Sequence, residues 1–346
     1  MSVPLKIGLD LAGATASPVE IAQAAIEARE QIPTCHFHLI GPSDPLSDSK
    51  EGIFFHKTAQ GISQEDSPLL AIRKKPDSSL VVGVKALAEK KLDAFLTLGN
   101  TGALIAAGTL LLPKLAFINR PALLANFPAS HGRMVVLDVG GNLATRGKQL
   151  VQFAFLGSAF AQARYGIENP KVALLNIGAE SQKGTKELRQ AFQTLSYMAD
   201  KPFTFIGNVE GRDVFLKGVD VLITNGFSGN IFLKTTEGIA EFVFHLVEEQ
   251  LGYALSSETA KKTCSNLKVF FSPEASQGAL LAGLDGILMK CHGNATKSAI
   301  IEALKGAYHF SANGLIEKMK SYLVSSQPKA CSTSFWAKLS SISRGI

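Results

Sequence analysis

Short apolar runs recur along this chain, and each one ends in Gly, Asp or Asn before a stretch with helical spacing of apolar residues. Strands that alternate with helices are typical of a parallel sheet covered by helices on both faces. The predicted strands are 6–10, 37–41, 94–99, 134–140, 172–178, 203–207 and 219–226, and the predicted helices lie near 18–31, 78–91, 101–112, 149–165, 184–199, 231–253 and 295–310. The pattern predicts an α/β protein with one domain over 1–324 and a mobile, Ser-rich and basic tail over 325–346.

Composition excludes several classes of protein. The 346 residues are 46% hydrophobic and 18% charged, which suits a globular domain. No apolar run reaches the ~18–20 residues of a membrane span, and the N-terminus has no signal-peptide layout, so we predict a cytoplasmic protein. The four cysteines form no C-x-x-C pair, and Cys35-His36-Phe37-His38 fits strand alternation better than a metal site.

The net charge of +6 is spread along the chain apart from Arg73-Lys74-Lys75. Nucleic-acid binding usually needs denser basic patches with stacking aromatics, so we predict no nucleic-acid partner. An acidic partner or an anionic surface is favoured, and an ordinary solvated basic surface stays open.

Polar residues close successive predicted strands. They are Asp10, Gly99-Asn100-Thr101-Gly102, Asp138-Val139-Gly140-Gly141-Asn142, Asn176-Ile177-Gly178, Gly207-Asn208 and Asn225-Gly226. One Gly–Asn turn is weak evidence, because turns favour these residues for conformational reasons. Ligands of α/β sheets bind beyond the carboxyl ends of strands, so the repetition favours a shared polar site. No dinucleotide fingerprint, P-loop, G-x-S-x-G or H-E-x-x-H motif occurs and strand-end carboxylates are few, so we predict neither a cofactor nor a metal.

Several segments, taken together, resemble the PlsX phosphate acyltransferases from about residue 4 to about 310. They are LGNTGAL (98–104), LLNIG (174–178) with Lys183-Gly184, IGNVEGRD (206–213), GFSGN (226–230), LKTTEG (233–238) and His292-Gly293. The resemblance implies a three-layer α/β/α fold with a mostly parallel sheet, related to phosphotransacetylases and isopropylmalate-type dehydrogenases. It also implies transfer of a long-chain acyl group from acyl carrier protein to inorganic phosphate for phospholipid synthesis. A homodimer with peripheral membrane contact is expected.

The chain departs from the family pattern at two acids. Thr15 and Asn225 stand where the family commonly has aspartate. The segment after Asn142, LATRGKQL, is also unusual. These departures put an acid or base role at both positions in doubt, while a less negative pocket suits phosphate.

The implied reaction is attack of a phosphate oxygen on a thioester carbonyl. Phosphate is already a nucleophile, and a thiol with a pKa of about 8.5 leaves without a strong acid, so no Ser-His-Asp set is needed. The site must instead neutralise charge and stabilise an oxyanion. The predicted catalytic residues are Lys183, Asn208, Asn225, Asn230 and His292, and the predicted substrate-binding residues are Asn100, Thr101, Gly102, Asn142, Ser78 and Lys234.

Each role has an alternative. The N–H groups of 100–102 suit phosphate, and Gly102→Val is predicted to raise the phosphate KM with little effect on folding. Lys183 neutralises the phosphate or oxyanion, or faces solvent. The asparagines donate amide hydrogens, and His292 protonates the thiolate or makes a structural turn contact. Ser78 binds substrate or starts a helix.

The stretch 239–251 carries Ile239, Phe242, Val243, Leu246 and Val247 at helical spacing. Core packing is the default interpretation of such a stripe. The resemblance implies instead an exposed hydrophobic hairpin within about 242–272 that meets acyl chains and lipid. Arg212 and Asp213 are interpreted as an ion pair that holds a loop.

Two other functions stay open. One is a phosphotransacetylase-like enzyme that uses acyl-coenzyme A, although Arg73-Lys74-Lys75 favours an acidic carrier protein. The other is a membrane-associated acyl-carrier binding protein without turnover, which the replaced acids at Thr15 and Asn225 suggest. A dehydrogenase lacks its nicotinamide fingerprint and acidic metal cluster here.

Overall fold

The computed structural model describes residues 3–254 and 278–327. Within them one sheet contains β1 (Leu5–Asp10), β2 (Cys35–Gly41), β3 (Ile53–Lys57), β4 (Ala94–Thr97), β5 (Ala122–Ala129), β6 (Gly132–Leu137), β7 (Lys171–Asn176), β8 (Thr204–Glu210), β9 (Val221–Ile223), β10 (Ala279–Ala282) and β11 (Ile287–Lys290). The helices are α1 (Pro18–Gln31), α2 (Pro68–Lys74), α3 (Ser79–Ala88), α4 (Thr101–Leu111), α5 (Gly147–Tyr165), α6 (Lys186–Tyr197), α7 (Gly226–Ala254), α8 (Lys297–Ala312) and α9 (Leu315–Ser325).

Two hydrophobic clusters cover the two faces of the sheet. Helices α1, α5, α6, α8 and α9 pack on one face, and α2, α3, α4 and the start of α7 pack on the other. Strand β4 shows the alternation, because Ala94 and Leu96 enter the first cluster while Phe95 enters the second. A Cβ on Gly83 would lie 2.0 Å from the Phe95 ring, so α3 needs glycine there to approach the sheet. The predicted three-layer α/β/α fold is confirmed.

The strand order is β3-β2-β1-β4-β11-β10-β5-β6-β9-β7-β8. The first five strands in this order, β3, β2, β1, β4 and β11, are parallel to one another. The last four, β6, β9, β7 and β8, are also parallel to one another. Three antiparallel pairs around β10 and β5 join the two halves, so the halves run in opposite directions. The mostly parallel sheet is confirmed.

Helix α7 and the twist expected of such a sheet relate the carboxyl ends of the two halves across this reversal. Five neighbouring strand pairs separate β4 from β9, and a twist of roughly 20–25° per pair rotates them by roughly 100–125°. A rotation of that size would leave the two sets of strand ends roughly 55–80° apart in direction rather than opposite. Helix α7 starts at the end of β9 and reaches the end of β11, as its side-chain contacts show below.

Most elements agree with the sequence prediction, and α1 matches it residue for residue. The alternation in β2 is also confirmed, since Cys35 and Phe37 are buried while His36 and His38 are partly exposed. The sequence analysis missed β3, β5, β10, β11, α2 and α9. Strands β10 and β11 have only four residues each, too few to show a clear period.

Two predicted segments fall largely outside the described residues. The predicted hairpin over 242–272 is described only to 254, where its first part continues α7. The predicted tail over 325–346 is described only to 327. No described helix is long and apolar enough to cross a bilayer.

Candidate active site

The ends of three adjacent parallel strands, β1, β4 and β11, form what we call the β4 corner. The GNTG turn follows β4, and Asn100 is the N-cap of α4, accepting from the Ala103 N–H at 3.0 Å. Its Nδ2 donates to the carbonyls of Ser63, Gln64 and Asp66, each at 3.1 Å. Asn100 therefore orders the turn, and the anion contact of the first-turn N–H groups of Thr101 and Gly102 stays a prediction.

Gly102 packs tightly, which overturns one expectation. A Cβ at this position would lie 2.5 Å from Pro68 Cγ at the start of α2. The prediction that Gly102→Val has little effect on folding is therefore wrong. We now expect Gly102→Val to destabilise the protein by ~1–3 kcal/mol, because overpacking forces α2 and α4 apart. Thermal unfolding measures this, and an unchanged melting temperature would contradict it.

Asp10 ends β1 in the floor of the β4 corner. It is buried and accepts from Thr97 Oγ1 at 2.8 Å and from the Ala12 N–H at 3.0 Å. Burial raises the pKa of Asp10, although these hydrogen bonds oppose the shift. Asp10 and Thr97 thus tie β1 to β4 beneath the GNTG turn.

Two predicted site residues meet in this corner, Lys234 from helix α7 and His292 from the turn after β11. Lys234 Nζ lies 3.2 Å from His292 Nδ1 and 2.9 Å from a carboxylate oxygen of Glu237. The other ring nitrogen of His292 lies 3.1 Å from Glu237. Burial raises the pKa of Glu237, but the bonds from His292 and Lys234 outweigh it and lower the pKa overall. Glu237 is therefore a carboxylate near neutral pH that holds both groups.

Lys290, which the sequence analysis missed, ends β11 in the same corner. Its Nζ donates to the carbonyl of Leu98 at 3.1 Å, directly before the GNTG turn, and to the carbonyl of Cys291. Burial lowers the pKa of Lys290 to about 8. The available signal was a lysine between the short apolar run 287–289 and His292-Gly293.

A second group, the β6 corner, lies where β6 and β9 end. One oxygen of the buried Asp138 accepts from three N–H groups, those of Leu123, Gly140 and Gly141. Asn142 Nδ2 donates to the other oxygen and to the carbonyl of Pro121, both at 2.8 Å. Both amide hydrogens of Asn142 are thus committed, which contradicts its predicted role as a phosphate donor.

Asn225 and Asn230 flank the start of α7 in the β6 corner. Asn225 Oδ1 accepts from the Ser228 N–H at 2.8 Å, so Asn225 caps the helix. Asn230 is exposed, and its Oδ1 would lie 3.5 Å from a Cβ on Gly140. Asn230, Lys234 and Glu237 share one face of α7 at i, i+4 and i+7. This face connects the β6 corner to the β4 corner.

A third group, the β7 corner, follows β7 and β8. Asn176 donates to the Lys183 carbonyl at 3.1 Å, and Asn208 donates to the Glu180 carbonyl at 2.9 Å. The Oδ1 atom of Asn208 is buried and has no donor among the described residues. These amides hold the loop 177–184, from which the exposed Lys183 side chain projects. The catalytic roles of Lys183 and Asn208 stay predictions.

Two other residues have roles in the fold. Ser78 is the fully buried N-cap residue of α3, and its hydroxyl donates to the Lys75 carbonyl at 2.7 Å. It starts a helix, and nothing in its surroundings opens it to a substrate. Arg212 pairs with Glu210 and Asp213, which confirms the predicted loop ion pair.

Comparison with known proteins decides the family. The family model described as "Fatty acid synthesis protein" matches residues 5–318. A phosphate acyltransferase of Thermotoga maritima is 37% identical over 309 residues, or 88% of this chain and 92% of the relative. One of Alkaliphilus oremlandii is 35% identical over 325 residues, or 90% and 96%. The chain belongs to the phosphate acyltransferase family.

Solved structures confirm the predicted relation to phosphotransacetylases at the level of fold. A phosphotransacetylase from Streptococcus pyogenes aligns with a TM-score of 0.59 at 14% identity, covering 91% of this chain and 94% of that one. The EutD phosphotransacetylase from Staphylococcus aureus gives 0.54 at 12% identity, with the same coverage. Sequence identity this low supports the shared fold alone.

The structure also shows where Thr15 and Asn225 lie, the two positions at which the sequence analysis noted a departure from the phosphate acyltransferase pattern. The N–H of Thr15 donates to the Gly293 carbonyl at 2.9 Å, so Thr15 borders the β4 corner beside His292. Asn225 keeps the acceptor oxygen that an aspartate would offer to the start of α7. Asn225 therefore caps the start of α7 with the same kind of acceptor that an aspartate would supply.

Proposed function

We propose that this protein transfers a long-chain fatty acyl group from acyl carrier protein to inorganic phosphate, giving acyl phosphate for phospholipid synthesis. One observation carries the proposal most directly: in the β4 corner Lys234 contacts His292, and Lys290 contacts the Leu98 carbonyl just before the turn that starts α4. Two lysines and a helix N-terminus favour an anion. Family membership supplies the acyl-transfer chemistry.

The site residues suit direct attack by phosphate. Cys35 and Cys291, the two cysteines in the described part of the chain, are buried, and His292 contacts Lys234 and Glu237 rather than a hydroxyl. A phosphate oxygen bonds to the thioester carbonyl carbon, the C–S bond breaks, and the thiolate takes a proton from His292 or water. Proximity supplies roughly 7–11 kcal/mol in favourable cases, and one oxyanion donor about 2.7–4 kcal/mol.

Thiol release tests the choice of donor. Purified protein is mixed with palmitoyl-acyl carrier protein, with and without inorganic phosphate, and free carrier thiol is measured with a thiol reagent. We expect release that requires phosphate and is at least tenfold faster than with palmitoyl-coenzyme A at equal concentration. Faster release from coenzyme A would favour the phosphotransacetylase-like alternative. No thiol release from either donor would favour a binding protein without turnover.

We further propose that the enzyme works in the cytoplasm as a homodimer at the membrane surface. Ile239, Phe242, Val243 and Leu246 of α7 are exposed in the described part of the chain, which supports the exposed apolar surface over core packing. An exposed apolar stripe on a helix suits contact with a partner or a lipid surface.

Polar substitution of the stripe is expected to weaken membrane contact. Ile239→Ser with Phe242→Ser should reduce co-sedimentation with anionic phospholipid vesicles at least threefold, because about two buried apolar side chains are lost. Leu110→Ser changes an exposed leucine of α4 and serves as the control. Equal co-sedimentation of the double variant and the control would contradict membrane contact through α7, and gel filtration of both reports on the dimer.

A further inference from the structure

Lys290 is a cation that the described fold leaves without a partner carboxylate. Within residues 3–254 and 278–327 it forms no ion pair, whereas Lys234 in the same corner pairs with Glu237 at 2.9 Å. Burying a lysine without a counter-charge is costly, so such a group is usually matched by a ligand or by hydrogen bonds. The two carbonyl bonds of Lys290 use two of its three N–H donors. One donor and the net charge are left over.

The position of Lys290 in the sheet places its remaining N–H donor near the GNTG turn. Lys290 pairs with Thr97 in the register of β11 and β4, and its bond to the Leu98 carbonyl fixes the ammonium next to the GNTG turn. The first-turn N–H groups of Thr101 and Gly102 follow immediately. Lys234 and His292 approach from α7 and from the turn after Cys291. An anion at this point meets positive groups from three elements.

We propose that Lys290 is the principal cationic ligand of inorganic phosphate in this protein, with Lys234 and the first turn of α4 as the secondary contacts. The identification of phosphate as a reactant rests on the proposed function. The assignment of Lys290 as its ligand rests on the geometry of the β4 corner. Glu237 keeps Lys234 paired, whereas Lys290 makes no ion pair within the described residues and the buried Asp10 carboxyl acts on it only from a distance.

The charged groups around Lys290 give the proposal a pH dependence. Burial lowers its pKa to about 8; Cys291 and Asp10 raise the pKa and Lys234 lowers it, while Glu237 and His292 complete the charged surroundings. The ammonium is present below pH 8 and is lost as pH rises through 8. Phosphate is already mostly the dianion at about pH 8 and gains little further charge up to about pH 10, so a loss of affinity there points to the loss of a protein cation.

The first test measures binding of inorganic phosphate by calorimetry, without any acyl donor. Lys290→Gln keeps an N–H donor for the Leu98 carbonyl but removes the charge, and should weaken phosphate binding roughly tenfold to a hundredfold. Lys305→Met is the control, because Lys305 pairs only with Glu302 on α8, among the described residues. An unchanged phosphate Kd in Lys290→Gln would overturn the proposal.

The second test needs no variant and therefore survives a failure of Lys290→Gln to fold. The phosphate Kd of the unaltered protein is measured from pH 7 to about 9.5, and it should rise nearly tenfold per pH unit above 8. A flat profile would overturn the proposal.

Kinetics separate this proposal from the proposed function. In Lys290→Gln the phosphate KM should rise at least tenfold while the KM for palmitoyl-acyl carrier protein changes less than twofold. Equal rises in the two KM values would show that Lys290 maintains the structure of the β4 corner, and would overturn its role as a phosphate ligand. If the unaltered protein binds phosphate with the expected pH profile but transfers no acyl group, the proposed function fails and the phosphate site stands.

Discussion

Gly229→Ala is expected to remove most of the acyl-transfer activity and to lower the melting temperature by several degrees. A Cβ at this position would lie 1.9 Å from the Asp138 carbonyl oxygen and 2.7 Å from Thr224 Cγ2. The first turn of α7 must then move away from the β6 corner, at a cost of ~1–3 kcal/mol or more. Lys234 on the same helix moves with it, and a shift of 1 Å can reduce the rate about 100-fold.

Gly238→Ala is the matched control for this change. Gly238 lies on the same helix, and a Cβ there meets nothing within 4 Å. Removing glycine from an exposed helix position should stabilise the protein by up to ~1 kcal/mol, with the rate unchanged. Thermal unfolding and initial rates measure both variants. A Gly229→Ala protein with normal melting and normal rate would show that the docking of α7 does not position the site.

Lys183→Ala is expected to lower kcat about 100-fold to 1,000-fold without changing stability. The exposed Lys183 side chain projects from a loop that Asn176 and Asn208 fasten. If Lys183 neutralises charge in the transition state, removing it should raise the activation free energy as much as removing one oxyanion donor does in other enzymes. Its exposure means that the melting temperature should stay within about one degree.

Lys186→Ala provides the comparison for Lys183→Ala. Lys186 is an exposed lysine three residues later, in the first turn of α6. We expect the Lys186→Ala variant to react at the rate of the unaltered protein, because it loses the same charge at a position outside the loop. If both variants lose activity equally, the effect comes from general surface charge, and Lys183 has no specific role.

The sequence predicted the α/β class and most of the elements because the strand and helix periods are local. The run before Gly99 and the apolar helix after it predict β4 and α4, and the structure confirms both. The short strands β10 and β11 pair with each other as a hairpin, but their places beside β5 and β4 depend on pairing between distant segments. No local period in the sequence reports such pairing.

The repeated asparagines at strand ends show a second limit of sequence reasoning. The repetition suggested shared ligands, yet Asn100 and Asn142 donate to main-chain carbonyls that fasten the turns. An amide offers both a donor and an acceptor, so it serves a turn as well as it serves an anion. Which use applies depends on carbonyls brought near by the fold, and the sequence does not display them.

Lys290 shows the opposite case, a site residue without a sequence signal of its own. The local sequence around Lys290 is that of an ordinary lysine at a strand end. Only the pairing of β11 with β4 places it beside the GNTG turn. The contact between Lys234 and His292 likewise joins residues 58 positions apart. The first placement depends on strand pairing and the second on the path of α7.

Trapping of acyl phosphate tests the central claim most directly. Purified protein, palmitoyl-acyl carrier protein and inorganic phosphate are incubated with hydroxylamine, and palmitoyl hydroxamate is measured with and without phosphate. The account predicts hydroxamate that forms only when phosphate is present and that increases with phosphate concentration to saturation. Hydroxamate at the same rate without phosphate, or none with either acyl carrier protein or coenzyme A as donor, would contradict it.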